Sequence, residues 1–490
     1  MHPPRSTAEA KLADKSGLSY WMSRTLKLVA RAAAEQSEEN IHDLRTALRR
    51  CRSMADGLMA LDADEDWARL KKTGGKLFDR LGTLRDIHVQ QAWLEKLTSA
   101  DEPVRLALAV QLQRAEVEAG QEVTRGLQKF DRKEWKSWAR RLPARARRLP
   151  ANGLVLQHLA LLRYEDGWKL HRHAMSSPSR AAWHELRLGV KRFRYTVENF
   201  LPEQHAHWGD ELKRVQDLLG EVHDLDVFIQ SLRGLSAVSQ RARRAVEQRA
   251  RAERENRLTE YKALTRGDES LWIQWRAGLP QGQRLETAAL AWIRAWAGYR
   301  DNDWHHRRHL VRLALHLFDG LHAAQANVLF ADARNRRILY AAALVENVGR
   351  LDGASHHHKR SYKMIREMRP PVGWSERDVL WTALVARYHR GADPAPHQKG
   401  FGSLPPADQQ AVRWLAAVLR LADGMVASFK QPVESLRVES SGALHIFVSG
   451  ISDLHALETV NEKKTLLERV AHRPVFLHVE QGKGIAASAG

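Results

Sequence analysis

Apolar residues along most of this chain recur at three- and four-residue spacing, as in Trp67, Leu70, Leu77, Phe78 and Leu81, and again in Leu212, Val215, Leu218, Leu219 and Val222. That spacing is the stripe of a helix that buries one face, so the sequence predicts a mainly α protein. A long charged helix is expected over roughly 238–264. Residues 132–150, with Arg140, Arg141, Arg145, Arg147 and Arg148 around two prolines, read as a basic connection between two helical halves. Between 267 and 283, Gly, Pro and Trp follow one another without clear periodicity, which places a domain boundary there. From about Leu285 the helical pattern returns, now crowded with His305, His306, His309, His316, His322, His356, His357, His358 and His389. After Ala427 it gives way to alternating or β-branched runs at 433–438, 444–448 and 475–479 around a helix near 454–470. The expected units are therefore helical repeats at about 17–130 and 151–266, a linker at 267–284, a second helical domain at 285–430 and a small α+β tail at 431–482. Residues 482–490 are expected to fray.

A longer period lies over the helical one. His42-x-x-Arg45-x-x-x-Arg49-Arg50-x-Arg52 recurs 142 residues later as His184-x-x-Arg187-x-x-x-Lys191-Arg192-x-Arg194. Each copy leads to a matching acidic segment, Leu81-Gly82-x-x-x-Asp86-x-x-Val89 and Leu219-Gly220-x-x-x-Asp224-x-x-Val227. Lys76 and Asp79 also have counterparts in Arg214 and Asp217. At about 100° per residue, positions i, i+3, i+7 and i+10 fall on one helix stripe, so each motif predicts a cationic ridge. Like charges at i, i+4 repel by a few tenths of a kcal/mol each. Two ridges in the same register favour an anion-binding surface over a merely solvated helix face. Asp86 and Asp224, each after a Leu-Gly corner, are expected to cap a helix or brace the arginines.

Charge narrows the partner. A net charge of +20, with 43% hydrophobic residues in 490, describes a globular chain directed at a polyanion: nucleic acid, an anionic membrane or a phosphate polymer. Arg forks match phosphate oxygens, and a helical row repeats them along a polymer. Stacking platforms are sparse, since Phe193 and Tyr195 alone interleave the second ridge and no aromatic interleaves the first, which favours backbone contact over base readout. The single cysteine, Cys51, excludes an intrachain disulfide and is expected to pack in a core. The N-terminal residues form no apolar signal core, and no run of apolar residues is long enough to span a bilayer, so a cytoplasmic protein without membrane insertion is expected.

The segments IHDLRTALRRCRS and WHELRLGVKRFRY, each followed by LGxxxDxxV, resemble the CHAD domain, the conserved-histidine α-helical domain, over roughly 17–266. The resemblance implies two pseudo-symmetric four-helix bundles whose basic helices line a groove for inorganic polyphosphate. The contacts it implies are His42, Arg45, Arg49, Arg50, Arg52, His184, Arg187, Lys191, Arg192 and Arg194, with Lys76 and Arg214 as weaker candidates. It also implies association with polyphosphate granules. Where many such domains carry Asp-x-Asp, the first half here has Asp86-Ile87-His88 and the second keeps Asp224 and Asp226.

The runs HHRRHLVRLALHLFDGL, RRILYAAALVENVGRLDGASHHHKRSYKMI, LWTALVARYHRG and WLAAVLRLADGM resemble the C-terminal helical region of the exopolyphosphatase and guanosine pentaphosphatase family, a relative of HD-domain phosphohydrolases, over roughly 285–479. An HD site holds divalent metal through a His, a His-Asp doublet and a distant Asp. Here the first His would be His309 and the last Asp Asp423, but the doublet reads Glu346-Asn347. A replacement ligand set of His309, Glu346, His389 and Asp423 is the candidate metal site. The expected reading is a degenerate domain with no catalytic residues and no cofactor, serving as an accessory surface or a homodimer interface. No Gly-rich phosphate loop of an actin-like core, no G-x-x-x-x-G-K-[ST] run and no G-x-S-x-G elbow occurs. The leading expectation is polyphosphate binding; a metal-dependent phosphohydrolase and a nucleic-acid-binding protein are the alternatives.

Overall fold

The computed structural model describes residues 17–351, 353, 355–429, 433–450 and 456–480, in two compact units, Met1–Ala288 and Ala289–Gly490. The mainly α class and the small C-terminal sheet agree with the periodicity of the sequence.

The first unit is built from α1 (Leu18–Ala34), α2 (Glu38–Leu58), α3 (Glu65–Leu97), α4 (Pro103–Gln128) and α5 (Arg132–Ala146), followed by α6 (Leu154–Ser176), α7 (Arg180–Phe200), α8 (Pro202–Arg233), α9 (Gln240–Thr265) and α10 (Leu271–Ala277). Local signals fix the starts. Ser37, Asp64, Asp131, Ser179, Ser239 and Ser270 each accept a hydrogen bond from a first-turn N–H, and Pro103 and Pro202 occupy first-turn positions where no N–H is required. Within α1 to α4 and within α6 to α9 each helix packs on its neighbours in sequence, and the halves join where α2 meets α7 and α3 meets α8.

Each half has a fifth helix. The basic connection expected at 132–150 is α5, which packs on α1 and α3 through buried Trp135 and Trp138. Trp135 Nε1 donates to the Met22 carbonyl at 3.1 Å. Arg145 is not a free linker charge: its guanidinium donates twice to Asp62, at 2.6 and 2.5 Å. The linker expected at 267–284 is likewise corrected. It contains α10, whose Trp272 and Trp275 are fully buried and whose Trp272 carbonyl accepts from the Tyr164 hydroxyl at 2.8 Å. Large aromatic area drives both short helices onto their bundles, and Trp-x-x-Trp is the repeated signal that the apolar periodicity did not expose.

The second unit begins within α11 (Gly282–Gly298) and continues with α12 (Trp304–Ala323), a 3₁₀ turn at Val328–Ala331, α13 (Ala333–Val345), a second at Val348–Arg350, α14 (His357–Glu367), α15 (Glu376–Tyr388) and α16 (Pro406–Ser428). Helix α16 is the core of the unit, with Val412, Leu415, Val418, Leu419 and Leu421 all fully buried. Strands β1 (Leu436–Ser441), β2 (Ala443–Ser449) and β3 (Val475–Glu480) form one sheet in that order, antiparallel then parallel. Leu444, Ile446 and Val448 bury one face of β2. The single helix expected near 454–470 is two, α17 (Ala456–Lys463) and α18 (Thr465–Ala471). Residues 454 and 455, and the fraying expected at 482–490, lie outside the described residues. No helix among the described residues is long and apolar enough to cross a membrane.

If α10 completes the first bundle, Trp272→Ala removes about 3–5 kcal/mol and shifts the urea unfolding transition of the first unit to lower denaturant. An unchanged transition, followed by far-UV circular dichroism, contradicts the assignment of α10 to that core.

Candidate functional site

Helices α2 and α7 are amphipathic for the same reason. Leu44, Leu48, Cys51 and Met54 on one, and Trp183, Leu186, Val190 and Phe193 on the other, are buried against their bundles. Cys51 is a packing residue: burial pushes its thiol up to about 12 and its sulfur lies 3.7 Å from Thr25 Oγ1. With these backs fixed, the opposite stripes meet. Arg49 of α2 lies over the Tyr195 ring of α7 at 5.2 Å. Lys191 is depressed to about 8, first by burial and then by the positive charges of Arg187 on its own helix and of Arg49, Arg45 and Arg52 on α2. One ammonium thus feels the cations of both ridges.

Between the ridges is a cavity of about 290 Å³ whose lining includes Arg45, Arg187, Lys191, Asp86, His223 and Asp224. Arg45 and Arg52 both lie over the Phe78 ring at 4.6 Å, and Arg45 also donates to the Phe78 carbonyl at 3.3 Å. Arg194 shares Tyr195 with Arg49, at 5.6 Å. Burial lowers Arg45 and Arg52 from their ordinary value, but a guanidinium stays charged at neutral pH. Among the described residues, the ion pairs of the two ridges are Arg50 with Glu198, Arg52 with Asp79 at 3.7 Å and Arg194 with Glu198 at 3.9 Å. Arg45, Arg49, Arg187 and Lys191 make none. The buried Nε atoms of Arg49, Arg52, Arg187 and Arg194 have no hydrogen-bond acceptor, so the groove holds donors that the protein itself does not satisfy.

Of the two roles expected for the acids, capping does not occur, while both stand beside arginines of the ridges. Leu81-Gly82 and Leu219-Gly220 are not corners; they lie inside the long helices α3 and α8. A Cβ at Gly82 would come 3.0 Å from Arg45 Nη1, so the missing side chain is the space into which that guanidinium reaches. Asp86 and Asp224 cap nothing and instead line the groove. Burial raises Asp224 to about 6, opposed by Arg187 and reinforced by Asp86 and Glu221. Asp86 keeps solvent access, yet the protein around it displaces enough water to raise it too, against the pull of Arg45, Arg187 and Lys191. The missing second acid of the first half also has an explanation. Asp226 accepts from Arg254 Nε at 2.8 Å, tying α8 to α9, and at the equivalent place His88 Nε2 lies 3.1 Å from Glu116 Oε1, tying α3 to α4. The tie is kept with the acid and the base exchanged.

The remaining expected contacts separate by angle. Arg50 and Arg192 sit about 100° from Arg49 and Lys191 around their helices. Arg50 is a clamp between the halves: it pairs with Glu198, donates to Asn199 Oδ1 at 2.9 Å and has burial as the main influence lowering it. Arg192 is exposed. Arg214 faces α9, donating twice to Glu260 Oε1 at 3.1 and 2.9 Å, and Lys76 is exposed on α3 outside the cavity lining. His42 is exposed. His184 lies against His223 with the rings tilted by 44° and Nδ1 to Nδ1 at 3.3 Å, where burial and then Arg187 hold His223 down at about 4.

The second unit gathers a different cluster. His306, Glu346 and Asp423 form one set of three, and Glu346, His357 and His389 another, with the ligand-type atoms of each set within 4.8 Å of one another. Glu346, His389 and Asp423 are thus brought together as the sequence suggests. His309 is not in either set; His306, one turn earlier on α12, takes that place, 3.6 Å from Glu346 Oε1 and 3.9 Å from Asp423 Oδ1.

Comparison with known proteins adds a family to this geometry. The chain is similar to a solved structure described as the CHAD domain from the plant Ricinus communis, with 22% identity over 54% of this chain and 91% of that one and a TM-score of 0.35. No curated protein matches. The family model of the CHAD domain matches residues 22–233, which run from α1 to the last residue of α8 and include both ridges and all four groove helices. Residues 22–233 of this chain are a CHAD domain.

Proposed function

We propose that the first unit binds inorganic polyphosphate along the groove between α2 and α7. The observation that carries this reading is the convergence of Arg45, Arg49, Arg52, Arg187, Lys191 and Arg194 on one groove with donor groups left over. Stacked cations without anions repel one another, and a chain of phosphates supplies acceptors at every step while relieving that repulsion. Each ridge runs from i to i+7, roughly 10 Å of helix, which suits an extended polymer better than one phosphate ester. Nucleic acid is disfavoured by the groove aromatics. Phe78 and Tyr195 each already carry two guanidinium groups, so their faces are taken by cations and not presented to bases. The resemblance of the second unit to the C-terminal region of exopolyphosphatases points to the same polymer. We read that unit as an accessory surface and candidate dimer interface, in a cytoplasmic protein that associates with polyphosphate granules.

Titration of the full chain with long-chain polyphosphate at fixed salt tests the assignment. Each lost charge-assisted contact is worth about tenfold in affinity, so Arg187→Ala with Lys191→Ala weakens binding at least tenfold, whereas Arg214→Ala, on the α9 side, leaves it unchanged. Equal affinities for all three proteins remove the groove from the reaction, and RNA competing as well as polyphosphate would favour the nucleic-acid reading.

The two shifted groups give the pH dependence a sign. Asp224, raised to about 6, loses its negative charge as pH falls from 7 to 5, so binding tightens. Lys191, held at about 8, loses its positive charge as pH rises from 7 to 9, so binding weakens. Affinity measured across that range therefore falls monotonically. Asp224→Asn flattens the acid limb and Lys191→Arg the alkaline one; a profile unaffected by either substitution contradicts the assignment.

A further inference from the structure

We propose that the second unit holds one divalent first-row transition-metal ion, of which zinc is the reference case, between Glu346, His357 and His389. Two imidazoles and a carboxylate make a donor set suited to such an ion, leaving a fourth position for water.

Three observations carry the proposal. The first is burial. Glu346, His357 and His389 are 2%, 4% and 2% exposed, and an ionisable carboxylate removed from water needs a cation or a full set of donors. Glu346 lacks a full set of donors: His306 Nε2 stands 3.6 Å from its Oε1, and its buried Oε2 accepts no hydrogen bond.

The second is the orientation of His389. Its Nδ1 lies 2.6 Å from the Ala386 carbonyl, which can only accept, so Nδ1 carries a proton and donates. In the neutral ring that leaves Nε2 as a lone pair, as in metal sites where the far ring nitrogen is held by a backbone carbonyl. Nε2 lies 3.3 Å from Glu346 Oε2, and the two are not aligned as a hydrogen bond. Two acceptors this close repel unless they share a cation. Ligand atoms about 2.1 Å from a tetrahedral ion are about 3.4 Å apart, close to this separation.

The third is how the backbone brings the ligands together. Glu346 and His389 are the C-cap residues directly after α13 and α15, and His357 opens α14. At Gly349, between the first two, a Cβ would meet Ser361 N at 2.6 Å and the His357 carbonyl at 2.7 Å. No side chain fits there. The glycine lets the turn after Glu346 lie directly on the first turn of α14, where Gly349 N donates to Ser361 Oγ at 2.9 Å. The residue before His357, His356, holds a left-handed φ of 55°, a conformation non-glycine residues adopt rarely, and it starts the helix with His357 turned inward.

The site differs from the doublet arrangement expected from sequence. It uses neither His309 nor Asn347, and Asp423 belongs to the outer set with His306, on the other oxygen of Glu346.

The test is a titration of the chelator-treated full chain with Zn²⁺ by calorimetry, with Co²⁺ as a spectroscopic stand-in. The wild type takes up about one tight ion per chain and the cobalt form shows visible d–d absorption. Glu346→Gln, which keeps the side-chain volume, and His389→Ala each weaken the tight ion by at least about tenfold, while His309→Ala and Asp423→Ala retain it. Should a ligand variant not fold, judged by circular dichroism, the wild-type cobalt spectrum and a rise in thermal midpoint with Zn²⁺ decide the matter. The proposal is overturned by a wild type with no stoichiometric uptake and no cobalt spectrum, by uptake that survives Glu346→Gln and His389→Ala, or by loss in Asp423→Ala with those two unaffected.

Discussion

The structure of the first unit depends on holding like charges together. Arg49, Arg187 and Lys191 have no ion pair among the described residues, and with Arg45 and Arg52 they crowd one groove closely enough to depress Lys191. Their mutual repulsion would separate α2 from α7 if nothing opposed it. Two features do. The apolar backs of both helices are fixed in their own bundles by full burial of residues such as Leu44, Leu48, Leu186 and Val190, each worth on the order of 1.5–3 kcal/mol. Across the gap, Arg50 reaches Glu198 and Asn199 of the other half, and Asn199 donates to Ser53 Oγ at 2.6 Å. The clamp sits beside the groove and uses one cation to keep the others in place.

Internal duplication explains how such a groove arises, and its departures from symmetry show what is not duplicated. Arg45 and Arg187, and Asp86 and Asp224, occupy matching positions around the cavity, while position 49 is Arg and its counterpart 191 is Lys. That exchange matters because an ammonium changes charge near neutral pH when buried and a guanidinium does not. The His88–Glu116 and Arg254–Asp226 ties show the opposite case. There the residues were exchanged while the link between helices was kept, which is the mark of a structural contact.

Much of this was legible in the sequence, and the exceptions have physical reasons. The stripes at i, i+4 and i+7 from Arg45 and from Arg187 identify the groove residues because helical angle alone decides which side chains share a face. The same geometry sets Arg50 and Arg192 aside, which motif matching had grouped with them. Arg214 turns to Glu260, a residue 46 positions away on α9, and no local pattern encodes that. Helix α10 is hidden because it is a short helix of 7 residues held mainly by two tryptophans, too few apolar positions for a periodic signal, whereas in α5 the buried Trp135, Trp138 and Leu142 keep helical spacing among arginines and a proline that read as a connection. In the second unit His309 and His306 are one turn apart on the same helix, and only packing against Glu346 and Asp423 distinguishes them. Glu346 and His389 were legible as chemistry, but their close pair of acceptors was not, because that depends on a backbone carbonyl at Ala386.

The salt dependence of polyphosphate affinity tests the central claim most directly, since a polyanion lying among several unpaired cations must release its counterions on binding. Taking about five neutralised charges and the slope per contact known for single-stranded polyanions, log K falls with log[salt] with a slope of roughly −3 to −4. The account predicts a linear plot with that steepness. A slope near zero, with binding intact at high salt, would show that the converging ridges are not where the polymer lies.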